Sequence, residues 1–471
     1  MNDHDSGADG KVGQAWSHLK IADNLAYRFV GDEVFCWRTG AKVENRFAIV
    51  GGLGVEVFSS VERRAAFDAF RDEILARFDV SPDEFDSGLE EFLVSAVAAG
   101  LFTEESPNGA TSLSLRSPVS NGGEPEVSEA DVLDTMFEKA SAQVLPLKVF
   151  FELTHHCNHH CQHCYLGFGV GVPGTSALST SRQLELLDEM AQAGVLELIL
   201  TGGEPTLHRA FTKILQRAHE LHFAVELLTN GTRLDEELVE LLASVSLVEV
   251  RVPIYGLEAY HNRFVRNARS FKRTWKGIVA LHTHGVPVTV TSTLMSDNAD
   301  QLLEIKRRLD SLGIRFQVSP LVYPTIQRNA APTQYRATRE QFRAMTPQLG
   351  ITLRRSRCTA GVSRFRIGPD GSLHPCEMLS TIELGNLAHH SFETVLRSPE
   401  RQEWIARFRS YLETKDRAGC RECRVRSYCV DCVGLSYLES TTFDGRCQEA
   451  CQLAHAIAYI DQRDQMVAAL A

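Results

Sequence analysis

The sequence predicts an α/β chain with three parts: an N-terminal winged-helix-like α+β domain, a partial (β/α)6 TIM-type barrel and an irregular, cysteine-rich C-terminal domain. Three observations lead to this prediction. The chain has 471 residues, more than one hydrophobic core usually supports. Short apolar runs alternate with amphipathic stretches in its middle part. Eight of the 12 cysteines lie between positions 358 and 451.

The composition is that of an ordinary soluble protein. The chain is 44% hydrophobic and 23% charged, and it has no run of about 18 apolar residues that could span a membrane. The N-terminal sequence MNDHDSGADG is acidic and polar and lacks the basic and apolar segments of a secretory signal. We therefore expect a cytoplasmic protein without a membrane partner.

Residues 15–105 are the predicted N-terminal domain. Strand-like segments at 27–37 and 46–50 precede two segments with apolar residues at three- and four-residue steps, as amphipathic helices require. Residues 106–127 are rich in Ser, Gly, Pro and Asn, which is typical of a flexible linker. Residues 1–110 contain 20 acidic and 10 basic residues, so we expect no nucleic-acid partner here, and a basic peptide fits better.

Residues 145–325 carry the alternating pattern of the barrel. Six short apolar runs are separated mostly by segments of helical character. Runs of this kind, buried on both faces, are what a parallel sheet with helical crossovers requires. The runs are LKVFFELT, LELILTG, AVELLTN, LVEVRVP, VPVTVTSTL and RFQVSPL. They predict a partial barrel with its active site at the carboxyl ends of the strands.

A cysteine cluster follows the first predicted barrel strand. Cys157, Cys161 and Cys164 have the spacing CxxxCxxC. Three nearby thiolates can hold three irons of a cubane cluster and leave the fourth iron open to another ligand. The alternative is a zinc site, which usually fills all four of its positions. That alternative stays open because four histidines stand close by, namely His155, His156, His159 and His160.

The C-terminal domain, residues 350–460, holds the remaining cysteine clusters. Its cysteines are Cys358, Cys376, Cys420, Cys423, Cys429, Cys432, Cys447 and Cys451. In a reducing cytoplasm such clusters indicate metal sites rather than disulfides. Metal clusters can substitute for a hydrophobic core, which explains the irregular sequence. Two zinc sites are the alternative, since eight sulfurs could fill them.

The first cluster resembles the cysteine motif of the radical S-adenosylmethionine (SAM) superfamily. That motif usually has an aromatic residue before its third cysteine, and His163 keeps a ring at this position. The sequence TGGEP resembles the superfamily's loop that binds the amino group of SAM, here through Gly202, Gly203 and Glu204. Glycines allow close approach of the main chain, and a carboxylate pairs with an ammonium group.

Two further positions bear on SAM binding. The resemblance implies that Arg266, in HNRFVRN, binds the SAM carboxylate, and a solvated surface arginine is the alternative. Relatives commonly have a serine in the fourth strand segment that reaches the ribose, whereas this chain has Pro253. Ribose recognition must then come from elsewhere.

By this resemblance the chain is an oxidoreductase with a 4Fe-4S cluster that cleaves SAM. The reduced cluster releases methionine and a 5'-deoxyadenosyl radical, which removes a hydrogen atom from an unactivated carbon. The protein supplies orientation and exclusion of water. The expected electron donor is a protein such as flavodoxin or ferredoxin.

The order of the C-terminal cysteines resembles the SPASM domain, which carries auxiliary clusters in radical SAM enzymes that modify peptides and proteins. The resemblance implies two auxiliary 4Fe-4S clusters, and therefore three clusters in all. The cluster nearer the active site would take Cys358, Cys376 and Cys432. The distal cluster would take Cys420, Cys423 and Cys429.

The resemblance leaves the fourth ligands of the two clusters open. Cys451 is favoured over Cys447 for the distal cluster, because its distance from the central cysteine run is closer to the usual one. Cys447 is then either the fourth ligand of the near cluster or a spare thiol, and a spare thiol would leave that cluster an open iron. The last gap of the central run is one residue shorter than usual, before Cys432. Glu377 matches an acidic position that acts as a base in sulfatase-maturing relatives, and a solvated glutamate is the alternative.

The N-terminal domain resembles the small winged-helix domain of pyrroloquinoline quinone biosynthesis, the RiPP recognition element (RiPP, ribosomally synthesised and modified peptide). That element binds the leader of a precursor peptide as an added strand at a sheet edge. The sequence thus predicts a maturase that installs a thioether or carbon-carbon cross-link in such a peptide. The alternatives are a sulfatase-type maturase that oxidises Ser or Cys to formylglycine, and a non-catalytic, zinc-dependent peptide-binding protein.

Overall fold

The computed structural model divides the chain into two compact units, Met1–Met136 and Phe137–Ala471. The structure describes residues 9–40, 46–78, 80–104, 129–167, 177–245, 247–352, 358–414, 420, 422–430, 432–443 and 445–470. The predicted linker, residues 106–127, lies outside these ranges. Within them, no helix has both the length and the apolar character that a membrane span needs.

In the residues that the structure describes, the first unit combines two small antiparallel sheets with four complete helices. Its helices are α1 (Asp9–Trp16), α2 (Leu53–Glu62), α3 (Phe67–Arg77) and α4 (Pro82–Ala98). Its strands are β1 (Leu19–Ile21), β2 (Leu25–Val30), β3 (Glu33–Arg38), β4 (Phe47–Gly51) and β5 (Phe102–Glu104). The larger sheet has the order β2-β3-β4, and β1 pairs with β5.

Local sequence explains the main features of this unit. The segment 27–37, predicted as one strand-like stretch, is a hairpin, because Gly31 in its middle takes a φ of +63° that favours glycine. Helix α4 begins with a capping box, in which Ser81 and Glu84 satisfy each other's main-chain N–H groups. The core contains fully buried aromatic and aliphatic side chains such as Phe58 and Leu89.

Six parallel strands form the barrel of the second unit, as the alternating pattern predicts. They are β6 (Lys148–Glu152), β7 (Glu197–Thr201), β8 (Ala224–Leu228), β9 (Leu247–Pro253), β10 (Val288–Thr293) and β11 (Arg315–Ser319), and they pair in this order. The helices are α5 (Glu129–Ala142), which contains the division between the units, α6 (Thr180–Gln192), α7 (Phe211–Glu220), α8 (Glu236–Ser244), α9 (Glu258–Phe264), α10 (Ser270–Thr283) and α11 (Ala299–Asp310).

The C-terminal region continues the barrel sheet. Its elements are α12 (Arg339–Leu349), β12 (Arg364–Ile367), β13 (Ser372–His374), β14 (Gly385–Asn386), α13 (Phe392–Leu396), α14 (Pro399–Thr414), α15 (Val433–Ser440) and α16 (Gln448–Leu470). Strand β12 pairs in parallel with β6, and β13 and β14 follow antiparallel. The predicted α/β class and partial barrel are confirmed, and the cysteine-rich region also contains regular helices.

Candidate active site and iron-sulfur sites

A cavity of about 500 Å³ opens at the carboxyl ends of the barrel strands. The loop after β6 contributes Cys157, Cys161 and Cys164 to its wall, and the loop after β7 contributes Gly202, Gly203 and Glu204. Parallel strands bring their following loops to one edge of the sheet, which is where barrel active sites lie. The structure therefore brings the two strongest sequence motifs to one site.

The cysteine loop, residues 157–164, is fixed by main-chain contacts with the segment that joins α9 to α10. His160 N donates to Val265 O at 3.0 Å, and Gln162 N donates to Phe264 O at 3.2 Å. The side chain of Asn267 adds a bond to Asn158 O at 3.2 Å. The thiols are thus held on an anchored loop.

A buried chain of two histidines and a serine strengthens this attachment. Ser270 Oγ lies 2.9 Å from His159 Nε2 and 2.9 Å from His261 Nε2. Burial lowers the pKa of His159 to about 4 and that of His261 to about 3, so both rings are neutral near pH 7. Since Tyr255 N donates to His261 Nδ1, Nε2 of His261 carries the proton and donates to Ser270.

These hydrogen bonds bear on the alternative that the cysteine loop binds zinc. Ser270 occupies Nε2 of His159, which leaves only Nδ1 of this ring for a metal ion. Among the described residues, no three His, Cys, Asp or Glu side chains converge as the ligands of a single ion would. Ligands of a cubane cluster bind separate irons and lie further apart than the ligands of a single ion.

The thiols themselves are protonated in the metal-free chain. Burial raises the pKa of Cys157 to about 11, although the main-chain N–H of His159 donates to its Sγ at 3.4 Å and opposes the rise. Burial also raises the pKa of Cys161 and Cys164. Binding iron must therefore displace protons, as thiolate ligation generally does. Three thiols in one cavity wall are a donor set that suits a 4Fe-4S cluster.

The two glycines of the SAM loop allow it to pack against the cysteine loop. Gly202 has a φ of +129°, and a Cβ there would lie 2.6 Å from Thr154 O. A Cβ on Gly203 would lie 2.4 Å from His156 O. The main chains are joined where Gly203 N donates to Thr154 O at 2.8 Å. Glycine is thus required by contact between the loops, in addition to any approach of a cofactor.

Glu204 is buried in the cavity wall and holds the loops after β7 and β8 together. Its Oε1 accepts from Thr206 Oγ1 and Thr229 Oγ1, both at 2.6 Å, and its Oε2 accepts from Asn230 N at 2.6 Å. Burial raises the pKa of this carboxyl. A carboxylate oxygen has two acceptor sites, so Oε2 retains capacity for a further donor such as an ammonium group.

His163 takes the place of the aromatic residue in the cysteine motif. Its ring lies edge-on against Tyr255 and Phe264, with centroid distances of 4.7 and 5.0 Å. Burial lowers its pKa to about 4, so the ring is neutral. It therefore serves as part of an aromatic wall.

Pro253 lines the cavity where relatives have a serine, and hydroxyl groups stand beside it. Thr291 on β10 is its register partner, and Thr293 follows on the same face. Arg251 on β9 also lines the cavity. Sequence analysis missed these side chains, although the alternation of VTVTST places its threonines on one face of the strand.

Arg266 is exposed and is not among the residues that line the cavity. It follows α9 and has a φ of +53°. The structure thus places it beside the cysteine loop, and its predicted contact with the SAM carboxylate stays a prediction.

The near cysteine group consists of Cys358, Cys376 and Cys432. Burial raises the pKa of Cys376 well above its usual range, and the charges of Glu377, Cys358 and Cys432 add to the rise, which places these groups together. Cys432 caps α15, since Leu435 N donates to its Sγ at 3.4 Å.

Tyr323 connects this group with the barrel cavity. It lines the cavity and, like Cys432, packs against the buried cluster that contains Cys447. Burial raises its pKa, and the negative charge of Cys432 raises it further. The near group therefore lies next to the site.

Glu377 is paired with Arg364. Arg364 Nε and Nη2 donate to its two carboxylate oxygens at 3.2 and 2.5 Å. The guanidinium also lies over the ring of Phe150, 4.6 Å from its centroid. This geometry favours a fixed ion pair beside Cys376, and the predicted role as a base stays a prediction.

The remaining cysteines surround a second cavity of about 50 Å³. Its wall contains Cys420, Cys423, Cys429, Cys447 and Cys451. Arg446 Nη2 donates to Cys451 Sγ at 2.9 Å, and the charges of Cys420 and Cys423 help to raise the pKa of Arg446. These contacts group Cys451 with the predicted distal ligands.

Cys447 lies between the two groups. It lines the distal cavity, yet it packs with Leu435 and Cys432 of the near group. Ala450 N donates to its Sγ at 3.3 Å, so it caps α16. The negative charge of Cys432 contributes to its raised pKa. The structure thus allows a near or a distal role for this thiol.

Comparison with known proteins identifies both domains. The profile of the Radical SAM superfamily matches residues 151–309. The profile of the SPASM iron-sulfur cluster-binding domain matches residues 358–424. These matches confirm the two resemblances, and with them a SAM-binding 4Fe-4S cluster and auxiliary iron-sulfur clusters as cofactors of the chain's domains.

Curated relatives include two proteins of Bacillus subtilis strain 168. The antilisterial bacteriocin subtilosin biosynthesis protein AlbA is 28% identical over 309 residues, which is 61% of this chain and 67% of the relative. The sporulation killing factor maturation protein SkfB is 27% identical over 275 residues, 53% of this chain and 65% of the relative. The alignments thus span about two thirds of each relative.

A solved structure shares the fold. It is that of Streptococcus suis SuiB bound to the precursor peptide SuiA, with a TM-score of 0.57 and 15% identity. The likeness covers 92% of this chain and all of the other.

Proposed function

Because the chain carries a radical SAM domain and an SPASM iron-sulfur domain, we propose that it is a maturase of a ribosomally synthesised precursor peptide. One cavity is the observation that supports this proposal most directly. The cysteine loop and the SAM loop line it, and Tyr323 connects it with the near cysteine group. The two curated relatives, named for bacteriocin biosynthesis and killing-factor maturation, support a peptide substrate.

We propose three 4Fe-4S clusters for this chain. Cys157, Cys161 and Cys164 would hold the first, and the near and distal groups would hold the others. When bound, the reduced first cluster and SAM supply a 5'-deoxyadenosyl radical that abstracts a hydrogen atom from the peptide. The free acceptor site of Glu204 would take the SAM ammonium group, and Thr291 and Thr293 would take the ribose hydroxyls.

The chain's own residues would orient the reactants and exclude water. His163, Tyr255 and Phe264 form an aromatic wall next to the thiols. The peptide would enter between this wall and Tyr323, so that its reacting carbon meets the radical and its second reacting group lies toward the near cysteine group. The product would be a thioether or carbon-carbon cross-link. Such a bond removes two hydrogen atoms from the peptide.

The first unit would bind the leader of the precursor peptide at the open edge of β4. Arg38 N donates to Arg46 O at 2.7 Å, and residues of an antiparallel ladder alternate in the side to which their main chain points. Phe47 and Ile49 therefore direct their main-chain groups away from β3, toward the open edge. An extended peptide could pair with them as an added strand.

A proline substitution tests this leader site. Ile49→Pro removes an N–H that faces the open edge and leaves the bonds between β3 and β4 in place. We expect the leader peptide to bind the full-length variant about tenfold more weakly, while SAM cleavage is unchanged. Fluorescence anisotropy with a labelled leader measures the affinity. Equal affinity of both proteins would show that the leader binds elsewhere.

The proposed setting is the cytoplasm, with flavodoxin or ferredoxin as electron donor. A sulfatase-type maturase would need no leader-binding unit, so the compact first unit favours the peptide maturase. The direct test is anaerobic coexpression with a short open reading frame that neighbours the gene. We expect mass spectrometry to find a peptide lighter by two hydrogen atoms for each cross-link. A Ser or Cys oxidised to formylglycine would favour the sulfatase-type maturase.

A further inference from the structure

The chain is acidic as a whole, with a net charge of −11, but one surface has the opposite sign. Residues 259–296 contain no Asp or Glu. Within this stretch, six exposed cations form what we call the basic surface: Arg263, Arg266, Arg269, Lys272, Arg273 and Lys276. Just before this stretch, Glu258 lies 3.4 Å from Lys272.

The basic surface adjoins the cysteine loop directly. Gln162 Nε2 donates to Arg263 O at 3.3 Å, and Gln162 N donates to the next residue, Phe264. Two residues earlier in the loop, the exposed His160 is bonded through its main chain to Val265. Ser270, at the start of α10, holds His159. The basic surface is therefore the outer side of the support that positions the thiols.

An aromatic side chain lies among the cations. Trp275 is half-buried and stacks on Phe271, with a centroid distance of 5.7 Å. Interfaces commonly combine a partly exposed tryptophan with surrounding charged residues. Opposite charge on a partner would speed its approach and orient it.

We propose that the basic surface is the docking site for the electron donor, a small acidic protein that carries one electron. This inference rests on the proposed function, since it requires a cluster on the cysteine loop. Electron transfer slows steeply with distance, so a donor must bring its cofactor close to the cluster that it reduces. A negatively charged donor on the basic surface would meet the outer side of the segment that holds the cysteine loop.

Charge reversal tests this site. The variant Lys272→Glu, Arg273→Glu, Lys276→Glu changes three exposed side chains of α10 that take no part in the cavity. We expect reduced flavodoxin to reduce its clusters at least about tenfold more slowly than those of the wild-type holoenzyme. Dithionite, a small reductant that needs no docking site, should reduce both proteins equally fast. Anaerobic stopped-flow absorption follows both reactions.

Two controls make the result specific. Arg307→Glu with Arg308→Glu reverses exposed cations in the last turn of α11, at the opposite end of the barrel, and should leave the flavodoxin rate unchanged. Replacing the same three α10 cations by Gln should slow reduction less than Glu does. Added salt should slow the wild-type reaction and have little effect on the reversed variant.

An unchanged flavodoxin rate in the reversed variant would overturn the inference, as would equal losses with flavodoxin and dithionite. Binding of RNA or anionic vesicles to the basic surface, with flavodoxin reduction unaffected by charge reversal, would also overturn it and identify another partner. These outcomes leave the proposed function intact. A wild-type protein without any cluster that dithionite reduces would instead contradict the proposed function.

Discussion

The two cysteine regions of the second unit differ in how the fold brings their thiols together. In residues 157–164 three thiols come from one short loop, which the neighbouring segment holds by main-chain bonds. In residues 358–451 the thiols come from several separate loops and from helix α16, and Cys432 and Cys447 each cap a helix. Cluster ligands on one loop can be recognised from their sequence spacing alone. Ligands that are spread along the chain can be assigned to separate clusters only once the fold is known.

The largest expected effect comes from removing the loop set. Replacing Cys157, Cys161 and Cys164 together by Ala should abolish SAM cleavage. The anaerobically purified wild type should contain about 12 iron atoms, four in each of three clusters, and the variant should lose about a third of them. Iron analysis and product chromatography measure both quantities. Stoichiometric zinc with negligible iron in the wild type would contradict the radical SAM assignment.

In the C-terminal region, a comparison of Cys451→Ala with Cys447→Ala tests which of the two cysteines is a ligand of the distal cluster. Since Arg446 groups Cys451 with the distal ligands, Cys451→Ala should change the electron paramagnetic resonance signal of the distal cluster or remove about four irons. Cys447→Ala should leave the distal signal intact. The reverse pattern would assign Cys447 to the distal cluster.

The close contact between Gly203 of the SAM loop and the cysteine loop predicts that a larger residue at position 203 destabilises the first cluster site selectively. The Cβ of Gly203→Ala would lie 2.4 Å from His156 O, which the anchored cysteine loop has little room to relieve. We expect a cost of about 1–3 kcal/mol and weaker binding of the first cluster, with the auxiliary clusters retained. Gly88→Ala is the matched control, because nothing lies within 4 Å of its Cβ. Equal iron content in both variants would show that the loops do not depend on this contact.

The smallest expected effect is that of Glu377→Gln. Because both oxygens of Glu377 bind Arg364, we expect product formation to fall only a few-fold, from the weakened ion pair. Loss of a general base would lower the rate about 10²–10⁴-fold and change its pH profile. A pH-rate series on both proteins separates the two cases, and the larger loss would support the role as a base.

The sequence predicted the features that local pattern encodes. Six apolar runs became β6 to β11, and the motifs at 157–164 and 202–204 meet in one cavity, because parallel strands end at a common edge. It missed contacts between residues distant in the chain, such as the bond of His159 to Ser270. Strands β12 to β14 were also missed, because two to four residues are too few for a recognisable period.

We propose that the two cysteine regions also have different roles in the reaction. The loop set would start the reaction in the cavity, and the near group would act on the peptide after hydrogen abstraction, when one electron remains in excess. Tyr323 supports this division, because it lines the cavity and, like Cys432, packs against the buried cluster that contains Cys447. The account therefore depends on whether the near group takes part in forming the product.

Cys376→Ala tests that point directly, by the ratio of cross-linked peptide to 5'-deoxyadenosine in the anaerobic reaction. Iron counts must first confirm that the other two clusters survive. We predict continued formation of 5'-deoxyadenosine without cross-linked peptide, since the variant should still cleave SAM but lack the near cluster. Cross-linked peptide at the wild-type ratio would contradict the account and leave the near group a structural role.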